Sequence, residues 1–415
     1  MNENAKTDDE PFALSMGEFV TLTAFLMAIT ALSVDVMLPV LPSIVEAFAL
    51  GDPNQQQFMV TVYLGAFAFG HIFVGPLSDR YGRKPALLGG LLVYIVGAVL
   101  AIFAESYTML LIARAVQGFG AAGPRVVAVA IVRDRFVGRA MSQVMSFIMT
   151  VFIILPVIAP TIGATIGSIG TWRHVFLLLL LFAIGTFVWT LIRMPETNPR
   201  SGPDAREPVA ISVAVKTIWS NGQTVGYMVA LGFIFGCLMT YISTTQQLFA
   251  DIYGIVDWFP LVFASVAGMM IVSSFTNSHL VRTMGMRRLS HGACIALMVS
   301  SALMWAGVEL FGTPPLAVLM VFLSLAFFLI GLVLPNFNAL AMEPLGRIAG
   351  TGSSFVGFIM TGLGAFLGGL VGQLYDGTVY PLLGGFFVYS AMVVVIVYFA
   401  EGRKLMQPSA AHPAE

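Results

Sequence analysis

One acidic residue, Asp35, lies well inside the apolar segments of this 415-residue chain. A charged side chain at the centre of a bilayer costs roughly 2.5–3.5 kcal/mol on insertion scales, so its presence there indicates a function. A carboxylate in such a place can take up and release a proton when its access to water changes. These properties make Asp35 a candidate proton carrier.

Arg114 is a candidate partner for this carboxylate. Asp35 lies six residues before the predicted end of one apolar segment, and Arg114 lies six residues after the predicted start of another. At 1.5 Å per residue, both are roughly 9 Å below the same membrane face. We expect the two charges to compensate each other if their helices face one cavity. The alternative is a static ion pair that only fixes helix packing, although such pairs seldom improve stability over apolar contacts.

Further polar residues predict a wet path through the membrane. Arg125 follows Arg114 by eleven residues, about three helical turns, so both are expected on one face of the helix. Arg125 can attract an anionic or dipolar substrate, or it can extend to the headgroups instead. His71 can relay protons, although a lone histidine is more often a packing residue. The other candidates for cavity lining are polar side chains of several segments: Tyr63, Gln117, Tyr241, Gln246, Asn336 and Asn338.

Residues 75–84, GPLSDRYGRK, form an ordered string of charges and glycines. An aspartate at a helix end can bond to nearby arginines or to helix N-termini and thereby hold one conformation. Gly82 permits a tight turn. A solvated basic loop would account for the charges but not for their order. The predicted gating residues are Gly75, Asp79, Arg80, Gly82 and Arg83, together with Pro160 and Gly163 of a later apolar segment.

The elements that position these residues must lie in a membrane. Hydrophobic residues make up 58% of the chain and charged residues 10%, whereas a soluble domain has roughly 25% charged residues. A soluble fold of this length has too little interior to cover so much apolar surface. The net charge of −1 gives no support for a nucleic-acid partner. Cys237 and Cys294 lie far apart in apolar segments and indicate neither a disulfide nor a metal site.

Twelve apolar segments are each long enough to cross the hydrocarbon core, which takes about 20 residues. They are predicted at 17–41, 57–78, 86–104, 108–131, 140–166, 172–193, 223–247, 258–281, 289–309, 315–337, 348–375 and 379–400. Cytoplasmic loops retain lysine and arginine. With the N-terminus in the cytoplasm, 17 of the 20 basic residues fall on the cytoplasmic side. The sequence therefore predicts a multi-pass protein with both termini in the cytoplasm.

A proline-containing polar segment divides the chain into two related parts. The predicted divisions are a cytoplasmic tail at 1–16, a six-helix bundle at 17–193, a cytoplasmic linker at 194–222, a second bundle at 223–400 and a tail at 401–415. Gly82 and Lys84 recur 203 residues later as Gly285 and Arg287, which indicates a duplication. The predicted fold class is all-α integral membrane, with twelve transmembrane helices in two pseudo-symmetric bundles. Transporters built from repeats bind their substrate between them, near the middle of the membrane.

Several motifs resemble the major facilitator superfamily. The string at 75–84 is similar to the superfamily signature between helices two and three, and LIARAVQGFGAA at 111–122 looks like the helix-four motif of its drug:proton antiporters. SVDVMLPVLP at 33–42 resembles helix one of the bicyclomycin-resistance (Bcr/CflA) subfamily. Shorter matches extend over nearly the whole chain. Helix five departs from the antiporter motif, because Gly163 is followed by Ala164 rather than by proline.

The resemblance implies the superfamily fold, in which one half rocks against the other. It implies a proton-driven exporter of small amphipathic molecules, with Asp35 as the proton site and Arg114 as its partner. The energy source would be the proton gradient, with no cofactor. We expect a small-molecule substrate, protons and the lipid bilayer as partners of a monomer in the bacterial inner membrane.

Other functions account for parts of the sequence. A proton-coupled symporter or facilitator of a metabolite would use the same intramembrane carboxylate. A polytopic membrane enzyme would need clustered nucleophiles, metal ligands or acid–base pairs at membrane level, and the five histidines are scattered. An ATP-driven pump would need a phosphate-binding G-x-x-x-x-G-K-[ST] loop, which the sequence lacks.

Overall fold

The computed structural model describes residues 14–136, 138–198 and 211–406. The helices before residue 199 are α1 (Met16–Asp35), α2 (Leu41–Ala47), α3 (Phe58–Tyr81), α4 (Arg83–Ile102), α5 (Tyr107–Arg135), α6 (Gly138–Ile169) and α7 (Trp172–Arg193). Those after residue 210 are α8 (Ile211–Ser220), α9 (Gly222–Tyr253), α10 (Phe259–Ala267), α11 (Met269–Met284), α12 (Met286–Phe311), α13 (Leu316–Met342), α14 (Ala349–Gln373) and α15 (Tyr380–Ala400). Residues 199–210 of the predicted linker and parts of both predicted tails lie outside the described residues.

The helix lengths agree with the predicted spans. In the described part of the chain, eleven segments are long and apolar enough to cross a membrane; α1 with α2 counts as one, and so does α10 with α11. Helix α6 has 32 residues and ends in a further apolar stretch, Val157–Ile169. With α6, these segments correspond to the twelve predicted spans.

The first span is not the continuous helix that was predicted. Helix α1 ends at Asp35, a short 3-10 turn covers Leu38–Val40, and α2 begins at Leu41. Pro39 has no backbone N–H, so it cannot bond to the carbonyl of Asp35 four residues earlier and continue the helix. The candidate proton carrier therefore occupies the last residue of α1, beside a break in the backbone.

The two halves meet through two helix pairs. Helix α3 packs against α14, and α6 packs against α10. If the second half repeats the first, α10 with α11 corresponds to α3, and α14 corresponds to α6. The two pairs are then equivalent contacts related by the pseudo-symmetry. Two helices of the first half, α1 and α5, and two of the second half, α9 and α13, line the space between these contacts.

Candidate functional site

A cavity of about 570 Å³ lies between the two halves. This volume is in the range of sites that hold drug-sized molecules. Its walls are mainly apolar and include the side chains of Phe67, Met239, Phe263, Phe327 and Met360. Its charged and titratable lining residues are Asp35, His71, Asp79, Arg83, Arg125 and Arg133. The cavity thus combines a large apolar surface with a few polar groups, as binding sites for amphipathic molecules do.

The carboxylate of Asp35 lines this cavity and is only 4% exposed. It has no hydrogen-bond or ion-pair partner among residues 14–136, 138–198 and 211–406. Buried hydroxyl groups without a hydrogen-bond partner in the described part of the chain include those of Thr30, Tyr63 and Tyr241. Burial of a charge without a partner is costly, so a carboxyl group in this position indicates a function rather than packing.

The predicted ion pair between Asp35 and Arg114 is not formed in this conformation. The Arg114 side chain is fully buried and donates from Nε to the Met59 carbonyl at 3.1 Å and from Nη2 to the Ser33 carbonyl at 3.1 Å. Its Nη1 donates to Gln117 Oε1 at 2.6 Å, and its guanidinium carbon lies 4.2 Å from the centroid of the Tyr63 ring. Arg114 therefore joins three helices and does not line the cavity.

Helix rotation explains why equal depth did not produce a contact. Consecutive residues of an α-helix differ by about 100° around its axis, so Ser33 and Asp35 lie on nearly opposite faces. Ser33 faces the packed interior, where its Oγ lies 2.5 Å from the hydroxyl of Tyr94. Asp35 consequently faces the other way, into the cavity.

Two of the predicted lining residues, Arg125 and His71, do line the cavity. The imidazole of His71 hydrogen-bonds through Nδ1 to the Phe67 carbonyl at 2.9 Å, which leaves Nε2 as its second polar atom. Asn338 is exposed. The other predicted lining residues are buried in helix contacts and do not reach the cavity; they are Tyr63, Gln117, Tyr241, Gln246 and Asn336. Asn336, for example, donates to Asn277 Oδ1 at 2.6 Å.

The predicted gating string forms a compact ion-pair cluster around Arg83. Its guanidinium donates from Nη1 to Asp79 Oδ1 at 2.6 Å and from Nε to Asp134 Oδ2 at 2.7 Å. Gly82 has φ = +106°, which favours glycine, and it ends α3 and starts α4. Glu196 accepts hydrogen bonds from the backbone N–H groups of Arg83 and Lys84 at the start of α4. Asp79 and Arg83 also line the cavity, whereas Arg80 is exposed.

The second half repeats this arrangement around Arg287. Its Nη2 lies 3.0 Å from Glu343 Oε2, and its Nε lies 2.8 Å from Glu401 Oε1. Gly285, the counterpart of Gly82, also has positive φ, at +78°. The 203-residue offset matched Gly285 to Gly82 and Arg287 to Lys84, rather than to Arg83. The two glutamates were missed, because single acids at helix ends are common in any membrane protein.

At the other end of the helices, amide side chains join the two halves. Asn54 Nδ2 donates to the Tyr375 carbonyl at 2.7 Å, and Gln373 Nε2 donates to the Asn54 carbonyl at 2.7 Å. Gln57 Nε2 donates to Gln247 Oε1 at 2.7 Å, and Gln247 Nε2 donates to Asn54 Oδ1 at 3.1 Å. We call these five residues the amide clasp. No sequence signal distinguished them from ordinary polar residues at the ends of spans.

Gly163 brings α6 into backbone contact with the turn that follows Asp35. A Cβ atom added at Gly163 would overlap the backbone carbonyl of Val36. Pro160, one turn earlier on α6, is buried in the same region. The close approach fixes the position of the Asp35 turn, because a backbone carbonyl cannot move aside as a flexible side chain can.

Replacing Gly163 with alanine is therefore expected to displace the Asp35 turn and reduce transport at least about tenfold, since misplacement by about 1 Å can cost far more than that. The rate of substrate transport in proteoliposomes would measure the loss. Gly185→Ala on α7 is the matched control, because an added Cβ there meets nothing within 4 Å. Equal rates for the two variants would contradict the proposed close contact.

Comparison with known proteins identifies the family. Residues 23–369 match the Major Facilitator Superfamily. The chain belongs to this superfamily. It is a transporter and not an enzyme, it is embedded in the membrane, and its substrate is a small molecule. The membrane-length helices and the bacterial relatives support an integral protein of the inner membrane.

Relatives of this transporter include proteins named for drug resistance. It is 30% identical to a bicyclomycin resistance protein homolog of Haemophilus influenzae, covering 93% of this chain and 97% of the relative. It is also 30% identical to YdgK of Bacillus subtilis, an uncharacterized MFS-type transporter, over 91% of this chain and 94% of the relative. Multidrug resistance protein D of Escherichia coli is 24% identical over 72% of this chain and 75% of its own length.

A solved structure has the same fold. The human organic anion transporter MFSD10 superposes with a TM-score of 0.66 over 93% of this chain and 100% of that one. Because the sequences are only 16% identical, this likeness concerns the fold alone.

Proposed function

We propose that this transporter exports amphipathic small molecules from the cytoplasm in exchange for protons. The observation that carries the proposal is the position of Asp35: a carboxylate that lines the cavity, is almost fully buried and has no partner in the described part of the chain. Such a group can alternate between a protonated and a substrate-bound state. The drug-resistance names of the bacterial relatives support export as the direction.

The residues at the two ends of the molecule indicate the side of the membrane to which the cavity opens. The cavity extends to Asp79, Arg83 and Arg133 at one end, whereas the amide clasp joins the halves at the other. Basic residues are concentrated at the Arg83 end, which the positive-inside rule assigns to the cytoplasm. On this assignment both termini are cytoplasmic and the conformation faces inward.

Alternating access would then require two coupled changes. The amide clasp would break, while the halves would close at the Arg83 end, so that the cavity opens to the other side of the membrane. A proton on Asp35 and a substrate at the same carboxylate would exclude each other, which couples their movements. The described residues of one chain line this cavity, so we propose that the transporter works as a monomer and uses the proton gradient as its energy source.

Transport by the purified protein in proteoliposomes tests this proposal. With the lumen made acidic relative to the medium, a fluorescent amphipathic compound should accumulate inside, and a protonophore should abolish the accumulation. Accumulation that requires the opposite pH gradient would contradict exchange and support the symporter alternative. Entry that only equalises the concentrations inside and outside, whatever the pH gradient, would indicate a facilitator.

A further inference from the structure

The cavity is lined by charged residues of both signs. Among its charged lining residues, Asp79 and Arg83 are paired with each other at 2.6 Å. The other charged lining residues are the acid Asp35 and the bases Arg125 and Arg133. Asp35 is in no ion pair with any residue that the structure describes, so neither arginine neutralises it.

The acidic and the basic groups lie at different depths. The Arg114 guanidinium bonds to the Ser33 carbonyl, so Arg114 on α5 is close in depth to Asp35 at the end of α1. Arg125 follows Arg114 by eleven residues, which is about 16 Å along the helix axis. Arg133 lies two further turns along α5, beside Gly350 of α14. The basic side of the cavity is therefore toward the Arg83 end, and the acidic side is deeper.

The apolar side chains around these charges favour a ligand whose central part is apolar. Aromatic and methionine side chains, among them Phe67, Phe263 and Met360, line the same cavity. A purely anionic ligand would leave the buried carboxylate of Asp35 without a counterpart, and a purely cationic ligand would lie in the field of two arginines. A ligand with one charge of each sign, separated by an apolar segment, satisfies both sides.

We propose that this transporter prefers dipolar amphiphiles, with an anionic group at Arg125, a cationic group at Asp35 and an apolar body between them. The inference rests on the proposed function, because it assigns the substrate contact and the proton to the same carboxylate. Arg133 attracts the anionic end of an entering molecule toward Arg125. The proton then competes only with the cationic end, while Arg125 keeps its charge throughout the cycle.

Three probes with the same aromatic body test this preference. They are an ω-amino acid with up to about 16 Å between its charges, the axial distance from the level of Arg114 to Arg125, its carboxamide, which is a cation, and its N-acetyl derivative, which is an anion. Binding to the purified protein in nanodiscs is measured by titration calorimetry. Because hydrogen bonds to charged groups are stronger than those between neutral groups, the zwitterion should bind at least about tenfold more tightly than either singly charged probe.

Variants separate the two contacts. Arg125→Gln should lower the affinity for the zwitterion to that for the carboxamide and leave the affinity for the carboxamide unchanged. Arg125→Lys should restore part of the lost affinity. Asp35→Asn should lower the affinity for the zwitterion to that for the N-acetyl derivative. Arg282→Gln is the matched control, since Arg282 is exposed and does not line the cavity; it should leave all three affinities unchanged.

Two binding results would overturn the inference: equal binding of zwitterion and carboxamide by the unaltered protein, or an Arg125→Gln variant that binds both more weakly by the same factor. Proton-driven export of the carboxamide without preference for the zwitterion would also overturn the inference, but it would leave the proposed function intact. Preferred binding of the zwitterion with no proton-driven export of any probe would support the substrate class and contradict the exchange.

Discussion

Replacing Asp35 with asparagine is expected to reduce proton-driven transport to the level of protein-free liposomes. Asparagine keeps the size and the polar oxygen of the side chain but cannot exchange a proton. Asp35 is the one acid placed deep in the apolar spans, and it lines the cavity. No neighbouring carboxylate can therefore replace it at this depth.

The same variant should remain folded and inserted. Burying a neutral amide costs less than burying a charge without a partner, so the apparent melting temperature in detergent should be unchanged or higher. Uptake driven by an imposed pH gradient, compared with exchange of labelled for unlabelled substrate at equal pH, separates coupling from translocation. We expect the gradient-driven uptake to be lost. The exchange at equal pH should persist for a substrate that does not need the carboxylate.

A matched control is Asp257→Asn, because Asp257 is exposed and lies outside the described cavity lining. It should transport at the rate of the unaltered protein. Asp35→Glu keeps a titratable carboxylate and should retain part of the gradient-driven rate. Full gradient-driven transport by Asp35→Asn would refute the role of this residue as proton carrier.

The second large effect is expected from Arg83→Ala. The Arg83 side chain is 6% exposed and that of Asp134 is 8% exposed, and they are 2.7 Å apart. Removing one partner of a buried ion pair leaves an uncompensated charge and costs roughly 3–5 kcal/mol. We expect a large fall in the apparent melting temperature and the loss of transport, because the junction of α3, α4 and α5 depends on this cluster.

A double variant distinguishes a broken ion pair from simple loss of packing. Arg83→Ala with Asp134→Ala removes both charges, so it should be more stable than Arg83→Ala alone. Arg288→Ala is the control, since Arg288 is exposed and its described hydrogen bond is to the Met406 carbonyl at 3.2 Å. The cluster does not hold this junction if Arg83→Ala has the same apparent melting temperature as Arg288→Ala. The same conclusion follows if the stability losses of Arg83→Ala and Asp134→Ala simply add in the double variant.

The break at Asp35 and the two glycine turns were partly readable from the sequence. Pro39 lies four residues after Asp35, so the missing hydrogen bond is a local property, although the hydropathy pattern alone indicated an unbroken helix to residue 41. Gly82 and Gly285 were found by their repeat offset, and both have positive φ. The amide clasp was missed, because its five residues are far apart in the chain and only meet when the halves close.

The sequence by itself determined the membrane location, the number of spans and the depth of Asp35 and Arg114. These properties depend on hydropathy and on the rise per residue, which are local. Only the tertiary structure decided which way each side chain points. Ser33 turns toward Tyr94 and Arg114, and Asp35 consequently turns into the cavity. Rotation about a helix axis is set by the summed contacts with neighbouring helices, so two residues at the same depth can belong to different sites.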